Sequence, residues 1–178
     1  MTLDHLWAGW RSDYVTSVSD TFGPPEESAE PTGGGSPENC VFCRILAAAD
    51  ADERYVVHRG PHTAVILNAY PYASGHLLVL PTRHLRRLGE LDATESAELW
   101  ATTLDAAAAL QRAYSPDGLN LGANLGRAAG AGLPDHLHLH AVPRWVGDTN
   151  FMTAVASVRV LPEALAESWR RIVAAWPG

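Results

Sequence analysis

Three histidines alternate with apolar residues in the segment His136-Leu137-His138-Leu139-His140-Ala141-Val142. Successive side chains of a β-strand point to opposite faces of its sheet. The alternation therefore predicts a strand over 136–142, with the three imidazoles on one face and the two leucines and the alanine on the other. The apolar face can pack on a core, while neighbouring imidazoles stand roughly 6–7 Å apart.

A row of imidazoles is suited to chemistry on phosphate groups. A neutral imidazole is a nucleophile near pH 7, and a protonated neighbour can bind an anion or deliver a proton. The preceding loop, 124–135, contains Gly126, Gly130 and Gly132. Glycine lets the backbone approach phosphates closely and present its N–H groups. The alternatives are a metal site or an accidental run of polar residues on a half-buried strand.

Further strands are indicated by apolar runs between turn residues. A turn at Arg59-Gly60-Pro61 separates the first two strands, and Pro81 closes the third. The predicted strands are 54–58, 63–68, 76–80, 119–124 and 136–142. Short loops between successive strands favour an antiparallel sheet with helices packed against it, which is an α+β domain.

Two helices are predicted in the same part of the chain. Asp92 and Glu95 form a capping-box pattern at the start of a long Ala/Leu-rich helix over about 93–114. Pro162 opens a C-terminal helix. Its apolar face is expected to carry Leu165, Trp169, Ile172 and Val173.

The N-terminal part of the chain differs in composition. Residues 1–22 read as an arm with an amphipathic helix, and residues 23–38 are a Pro/Gly/Glu/Ser linker with little to bury. The catalytic domain is expected over 39–178. Trp7 and Trp10 of the arm would cover either a partner subunit or the chain's own core.

The charge and hydropathy of the chain exclude several classes of function. A net charge of −7 argues against non-specific binding to nucleic acid, which needs a basic surface. No apolar run approaches the roughly 20 residues of a membrane span, and the N-terminus lacks the pattern of a signal peptide. We therefore expect a cytoplasmic protein without membrane or nucleic-acid partners. The basic cluster at 83–87 is either a solvated turn or a phosphate contact.

Cys40 and Cys43 form a C-x-x-C pair, the only cysteines of the chain. A structural disulfide is unusual in the cytoplasm. The pair is therefore interpreted as a redox couple or as half of a zinc site.

These motifs together carry a resemblance to a known family. His-Leu-His-Leu-His-Ala-Val resembles the signature of the histidine triad (HIT) family of nucleotidyl hydrolases and transferases. Four further segments are similar to bacterial members of the diadenosine tetraphosphate (Ap4A) phosphorylase type. They are Leu6-Trp-Ala-Gly-Trp-Arg11, Leu67-Asn-Ala-Tyr-Pro-Tyr-Ala-Ser-Gly-His-Leu-Leu-Val-Leu-Pro81, Asn124-Leu-Gly-Arg-Ala-Ala-Gly-Ala-Gly-Leu-Pro-Asp135 and Pro143-Arg-Trp-Val-Gly-Asp-Thr-Asn-Phe-Met152.

The resemblance implies a HIT-like sheet of about five strands and specific roles for site residues. The middle histidine, His138, would attack the α-phosphorus to give a nucleotidyl-histidine intermediate, with its Nδ1–H held by an acceptor such as a backbone carbonyl. His140 would donate to a phosphate or to the leaving group. The positions implied for substrate binding are Asn68, His76, Asn124, Gly130, Ala131, Gly132 and His140. Asn68 could equally be a turn residue, and His76 an ordinary core histidine.

The resemblance also implies a metal site and an assembly. Zinc-bearing relatives complete a C-x-x-C pair with two histidines, which here are His84 and His136. A closed structural zinc on Cys40, Cys43, His84 and His136 is therefore expected, without an organic cofactor. The alternative is two reduced buried thiols with His84 on the surface. HIT relatives are usually dimers, so a homodimer or higher homo-oligomer is expected.

One departure from the family pattern bears on the reaction. Many HIT hydrolases carry a glutamine shortly before the triad, where this chain has Gly130-Ala131-Gly132. The missing side chain leaves room for a second acceptor, and inorganic phosphate is the natural candidate. The sequence therefore favours phosphorolysis of Ap4A to ATP and ADP over hydrolysis of dinucleoside polyphosphates or phosphoramidates. A non-catalytic nucleotide-binding module is the third reading, which the intact triad disfavours.

Overall fold

A computed structural model describes residues 36–48, 55–148 and 163–177 of the chain. Within those ranges the fold consists of five strands and three helices, with two short 3-10 turns. The strands are β1 Val56–Arg59, β2 Thr63–Leu67, β3 Leu77–Pro81, β4 Gly118–Gly122 and β5 Leu139–Arg144. The helices are α1 Val41–Ala47, α2 Ala93–Tyr114 and α3 Leu165–Ala175.

The five strands form one antiparallel sheet in the order β1-β2-β3-β5-β4. β5 lies between β3 and β4, so His140 is paired with Leu78 on one side and Gly122 on the other. The expected α+β class and the antiparallel sheet are confirmed. No helix of the described residues is long and apolar enough to cross a membrane.

Both faces of the central strands are covered, which explains why β2 and β3 are buried at every position. On one face, Val65, Leu77 and Val79 join a core cluster with residues of α2 and α3. On the other face, Ile66 and Leu80 join a second cluster with α1. Alternate residues of one strand therefore serve two different cores.

The capping box at the start of α2 is confirmed. The N–H groups of Thr94 and Glu95 donate to the Asp92 carboxylate at 2.8 Å, and the Glu95 carboxylate accepts from the Asp92 N–H at 2.9 Å. The helix ends at Tyr114 because Ser115 adopts a left-handed conformation, with φ of 45°, and its N–H donates to the Gln111 carbonyl.

Three predictions on the elements need correction. β5 begins at Leu139 rather than at His136, because β4 ends opposite His140 and the Leu137 N–H donates to the Leu85 carbonyl instead. The helix α1 was not predicted. Val173 is 37% exposed, although Leu165, Trp169 and Ile172 do pack on the core. The predicted arm and the helix start at Pro162 lie outside the described residues, as does most of the linker.

Candidate active site

The three histidines line the sheet face opposite α2 and α3. Leu137 and Ala141 are buried in the cluster that contains those two helices, whereas Phe42 of α1 contacts the rings of His136 and His138. The alternation seen in the sequence therefore holds even though only His140 belongs to the paired strand. The rings of His138 and His140 lie with their centroids 5.1 Å apart.

His138 is held as a neutral imidazole with one nitrogen available. Its Nδ1 lies 2.8 Å from the His136 carbonyl, which can only accept, so Nδ1 carries the proton. Nε2 is then the nitrogen with a free lone pair. Burial lowers the pKa of His138, which favours the neutral form. The expected backbone acceptor is thus present, and the ring has the protonation state that a nucleophile needs.

His76 and His140 form a hydrogen-bonded pair beside His138. The Tyr72 N–H donates to His76 Nδ1 at 3.0 Å, and the Asn68 side-chain nitrogen lies 3.2 Å from the same atom. Because a backbone N–H can only donate, His76 Nδ1 accepts and its proton lies on Nε2. That proton is donated to His140 Nδ1 at 2.9 Å.

The same logic fixes the state of His140. Its Nδ1 accepts from His76, so in the neutral ring Nε2 carries the proton. Burial, and then the neighbouring His138, lower the pKa of His140. Among the described residues, His140 Nε2 is one of two buried side-chain polar atoms without a hydrogen-bond partner. A buried donor without a partner is costly in a finished fold, and it is commonly satisfied by a ligand.

The turn between β2 and β3 supplies the surroundings of this pair. Asn68 is a turn residue, since its Oδ1 accepts from the Tyr70 N–H at 3.0 Å, and it also reaches His76. The Tyr72 ring is stacked on the His140 ring at 5.8 Å and tilted against the His76 ring at 4.6 Å. Sequence reasoning missed Tyr72, because an aromatic residue in a loop carries no periodic signal.

The glycine-rich loop follows β4 directly and is folded on itself. Asn124 lies two residues beyond Gly122, which pairs with His140, so the loop starts at the triad end of the sheet. The N–H groups of Gly130 and Ala131 donate to carbonyls within the loop, at 2.9 and 3.2 Å. These two groups are therefore not directed at a phosphate as expected. Gly132 is exposed, and an added Cβ there would meet nothing within 4 Å.

The basic cluster at 83–87 is mostly paired with acidic side chains. Arg83 donates to the Glu95 carboxylate at 2.7 Å, and Arg86 lies 3.7 Å from Asp135. These contacts favour the solvated-turn interpretation over phosphate contact. His84 of the same segment turns towards the cysteines.

Cys40, Cys43, His84 and His136 converge on one point. One ligand atom from each lies within 4.8 Å of all the others, so the four could hold a metal ion. Sγ of Cys43 lies 3.3 Å from His84 Nδ1 and 3.6 Å from His136 Nδ1. His136 Nε2 donates to the Pro81 carbonyl at 2.9 Å, which leaves Nδ1 as the ligand atom.

Two residues of this cluster have pKa values that favour their neutral forms. Burial, with a hydrogen bond from Cys40, raises the pKa of Cys43 to about 11, and burial lowers the pKa of His136 to about 4. A cation would replace this arrangement with coordinated thiolates. Because all four positions of a tetrahedron are supplied by protein, such a site would be closed.

Comparison with known proteins decides the family. Residues 50–146 match the HIT domain family. The chain is a HIT protein. It is 37% identical over 174 residues to a Mycobacterium tuberculosis protein named AP-4-A phosphorylase. The aligned region covers 98% of this chain and 85% of that protein.

Two solved structures of HIT proteins resemble the fold. One is a Zn-bound histidine triad family protein from Mycobacterium smegmatis, with a TM-score of 0.64, 30% identity, and coverage of 79% of this chain and 94% of that one. The other is a hypothetical histidine triad nucleotide-binding protein from Sulfolobus tokodaii, with a TM-score of 0.62, 32% identity, and coverage of 76% and 91%.

In this HIT protein, Phe42 contacts a residue of the cysteine-histidine cluster and also the middle histidine of the triad. It lies between the cysteines on α1, is 4% exposed, and packs edge-on against His136 at 5.6 Å and His138 at 5.2 Å. Its role was not predicted, because a single phenylalanine inside C-x-x-C shows no periodicity. One short helix thus carries both Cys43 of the candidate metal cluster and a side chain that packs on His138.

Proposed function

We propose that the protein is an Ap4A phosphorylase, which cleaves Ap4A with inorganic phosphate to ATP and ADP. The observation that carries the proposal is that two neighbouring rings present complementary nitrogens. His138 Nε2 has a free lone pair, whereas His140 Nε2 carries a proton and has no hydrogen-bond partner. One nitrogen can attack phosphorus while the other stabilises the oxygen that leaves. The name of the M. tuberculosis relative supports the choice of substrate.

The reaction proceeds in two displacements. His138 Nε2 attacks the α-phosphorus of Ap4A, and the bond from that phosphorus to the bridging oxygen breaks, so that ATP leaves and AMP remains on His138. His140 Nε2–H donates to the departing oxygen. An oxygen of inorganic phosphate then attacks the same phosphorus, the bond to His138 breaks, and ADP is released. Two moderate barriers replace one high barrier.

The loop before the triad supports phosphate as the acceptor. Residues 130–132 carry no side-chain donor that would hold water, and Gly132 has open space around its Cα. We propose that Asn124 and this loop bind phosphate, and that Asn68 and His76 bind or orient the nucleotide. Asn124 Nδ2 would lie 3.9 Å from a Cβ added at Gly130, so its amide reaches the loop.

The test is to incubate Ap4A with the protein at increasing phosphate concentrations. ADP and ATP are expected at a rate that rises with phosphate and saturates. His138→Asn is expected to reduce kcat by several orders of magnitude without unfolding the protein, because the covalent nucleophile is lost. Cleavage that is indifferent to phosphate and yields AMP plus ATP would instead assign a hydrolase, and no turnover a binding module.

We also propose that the cysteine-histidine cluster binds structural zinc. Zinc bonds of about 2.3 Å to sulfur and about 2.0 Å to nitrogen, at tetrahedral angles, place S and N atoms about 3.5 Å apart. The observed separations of 3.3 to 3.6 Å fit that geometry. The Zn-bound relative from M. smegmatis supports the choice of metal.

The zinc proposal is tested on protein that has never met a chelator. Close to one equivalent of zinc per chain is expected by elemental analysis. Cys43→Ser should lower both the zinc content and the melting temperature, since a structural metal contributes to folding. Less than about a tenth of an equivalent in the wild type would refute the site.

We further propose that the protein is a homodimer. Light scattering, which measures the molar mass in solution, tests this proposal.

A further inference from the structure

The orientation of His140 depends on one aromatic contact that the proposed chemistry does not use directly. In the proposed chemistry His140 directs Nδ1 at His76 and keeps a proton on Nε2 for the leaving oxygen. The bond to His76, at 2.9 Å, holds one nitrogen, but rotation of the ring about its Cβ–Cγ bond would break that single hydrogen bond. A further contact is therefore needed to hold the imidazole ring in this plane.

The ring of Tyr72 lies against that plane. Its ring is nearly parallel to His140, with an interplanar angle of 15° and a centroid separation of 5.8 Å. It also contacts the fully buried His76, with the centroids 4.6 Å apart. The backbone N–H of the same residue donates to His76 Nδ1. Tyr72 therefore acts on the histidine pair twice, through its backbone and through its ring.

We propose that Tyr72 is a positioning residue for His140, and that its ring holds the imidazole in the orientation in which Nδ1 faces His76 and Nε2 carries the proton. The proposal rests on the proposed function only for its effect on turnover. Stacked aromatic pairs shift an equilibrium by roughly threefold to tenfold. Loss of the ring is therefore expected to lower the ratio of the productive to the unproductive orientation by that factor.

Substitutions of Tyr72 isolate the ring, because every residue except proline keeps the N–H bond to His76. Tyr72→Phe keeps the stacking surface and Tyr72→Ala removes it. Tyr70→Ala is the matched control, since Tyr70 lies two residues earlier in the same turn and is 86% exposed. Its own backbone N–H bond to Asn68 also survives substitution.

The direct readout is the tautomer of His140, which needs no turnover. In protein labelled with ¹⁵N on histidine, two-bond ¹H–¹⁵N spectra near pH 8 report which ring nitrogen is protonated. His140→Gln assigns the signal. We expect a single Nε2–H form in the wild type, in Tyr72→Phe and in Tyr70→Ala, and a mixture of both tautomers in Tyr72→Ala.

Turnover of Ap4A provides the second readout. For Tyr72→Ala we expect kcat to fall in proportion to the lost Nε2–H population, by about twofold at most, with KM unchanged, and for Tyr72→Phe we expect recovery of most of that loss. If Tyr72→Ala does not fold, as judged by circular dichroism, Tyr72→Leu takes its place, because it fills the volume without a flat ring.

Two results would overturn the proposal. One is a single Nε2–H form of His140 in the variant without the ring. The other is a lower melting temperature of that variant with an unchanged kcat, which marks a purely structural tyrosine. A wild type that shows the expected tautomer but no phosphate-dependent cleavage would contradict the proposed function and leave the role of Tyr72 standing.

Discussion

Removing the Phe42 ring should affect both stability and the orientation of His138. The side chain is 4% exposed and belongs to the core cluster formed by Val56, Ile66, Leu78 and Leu80. It also packs edge-on against His138 at 5.2 Å. Phe42→Ala therefore removes apolar contacts on one side and a wall of the candidate site on the other.

The expected loss of stability follows from the burial of the ring. Truncation of a buried phenylalanine to alanine costs about 3–5 kcal/mol, which combines the lost transfer free energy with the cavity left behind. The two edge-on contacts with imidazoles lie on the same ring, and contacts of this type add about 0.5–1.5 kcal/mol each. We therefore expect the upper half of that range, about 4–5 kcal/mol, from a domain that typically has about 5–15 kcal/mol in all.

Urea unfolding followed by tryptophan fluorescence measures the change, with kcat for Ap4A measured on the same preparations. We expect the unfolding midpoint of Phe42→Ala to fall and kcat to decrease about tenfold, because the His138 ring gains room to rotate. Phe42→Leu is the control, since it keeps most of the volume and should recover most of the stability. A loss below about 1 kcal/mol in Phe42→Ala, with kcat unchanged, would refute the packing argument.

Two further predictions concern a capped helix and the acceptor loop. The Arg83 guanidinium and the capping bond lower the pKa of Glu95 from 4.5 to about 2, so its carboxylate stabilises the fold above about pH 4.5 and this contribution is lost as the pH falls towards 2. In acid titrations of the melting temperature, Glu95→Gln should flatten the dependence between about pH 4.5 and 2 relative to the wild type. Gly132→Gln should slow phosphate-dependent cleavage by filling the open space, and Gly118→Gln, equally unhindered but paired with Arg144, should not. Anion-exchange analysis of the products checks both glycine variants.

Local patterns in the sequence predicted the elements that have local causes. The capping box of α2 depends on side chains three residues apart, and the alternation around His138 depends on neighbours two residues apart. Both are found in the structure. The four residues of the candidate metal cluster were identified by residue type and by resemblance, and the fold brings their side chains together.

The features that were missed depend on contacts distant in the sequence. Phe42 reaches His138 across 96 positions, and the start of β5 is decided by where β4 ends. The short α1 has too few residues for a periodic pattern, and it is held by the second core cluster rather than by helix propensity. In each case the contact that determines the local structure is made with another helix or strand, so it leaves no pattern in the neighbouring sequence.

His136 shows how the fold couples the two groups of site residues. Its Nδ1 faces the cysteines, its Nε2 donates to Pro81, and its carbonyl accepts the Nδ1 proton of His138. One residue therefore supplies a candidate metal ligand through its side chain and the tautomer of His138 through its backbone. Because β5 does not begin until Leu139, the peptide group that carries this carbonyl is held outside the strand, by the Leu137 N–H bond to the Leu85 carbonyl at 2.7 Å. The contacts of the His136 side chain add a second anchor, and a bound metal would make that anchor firmer.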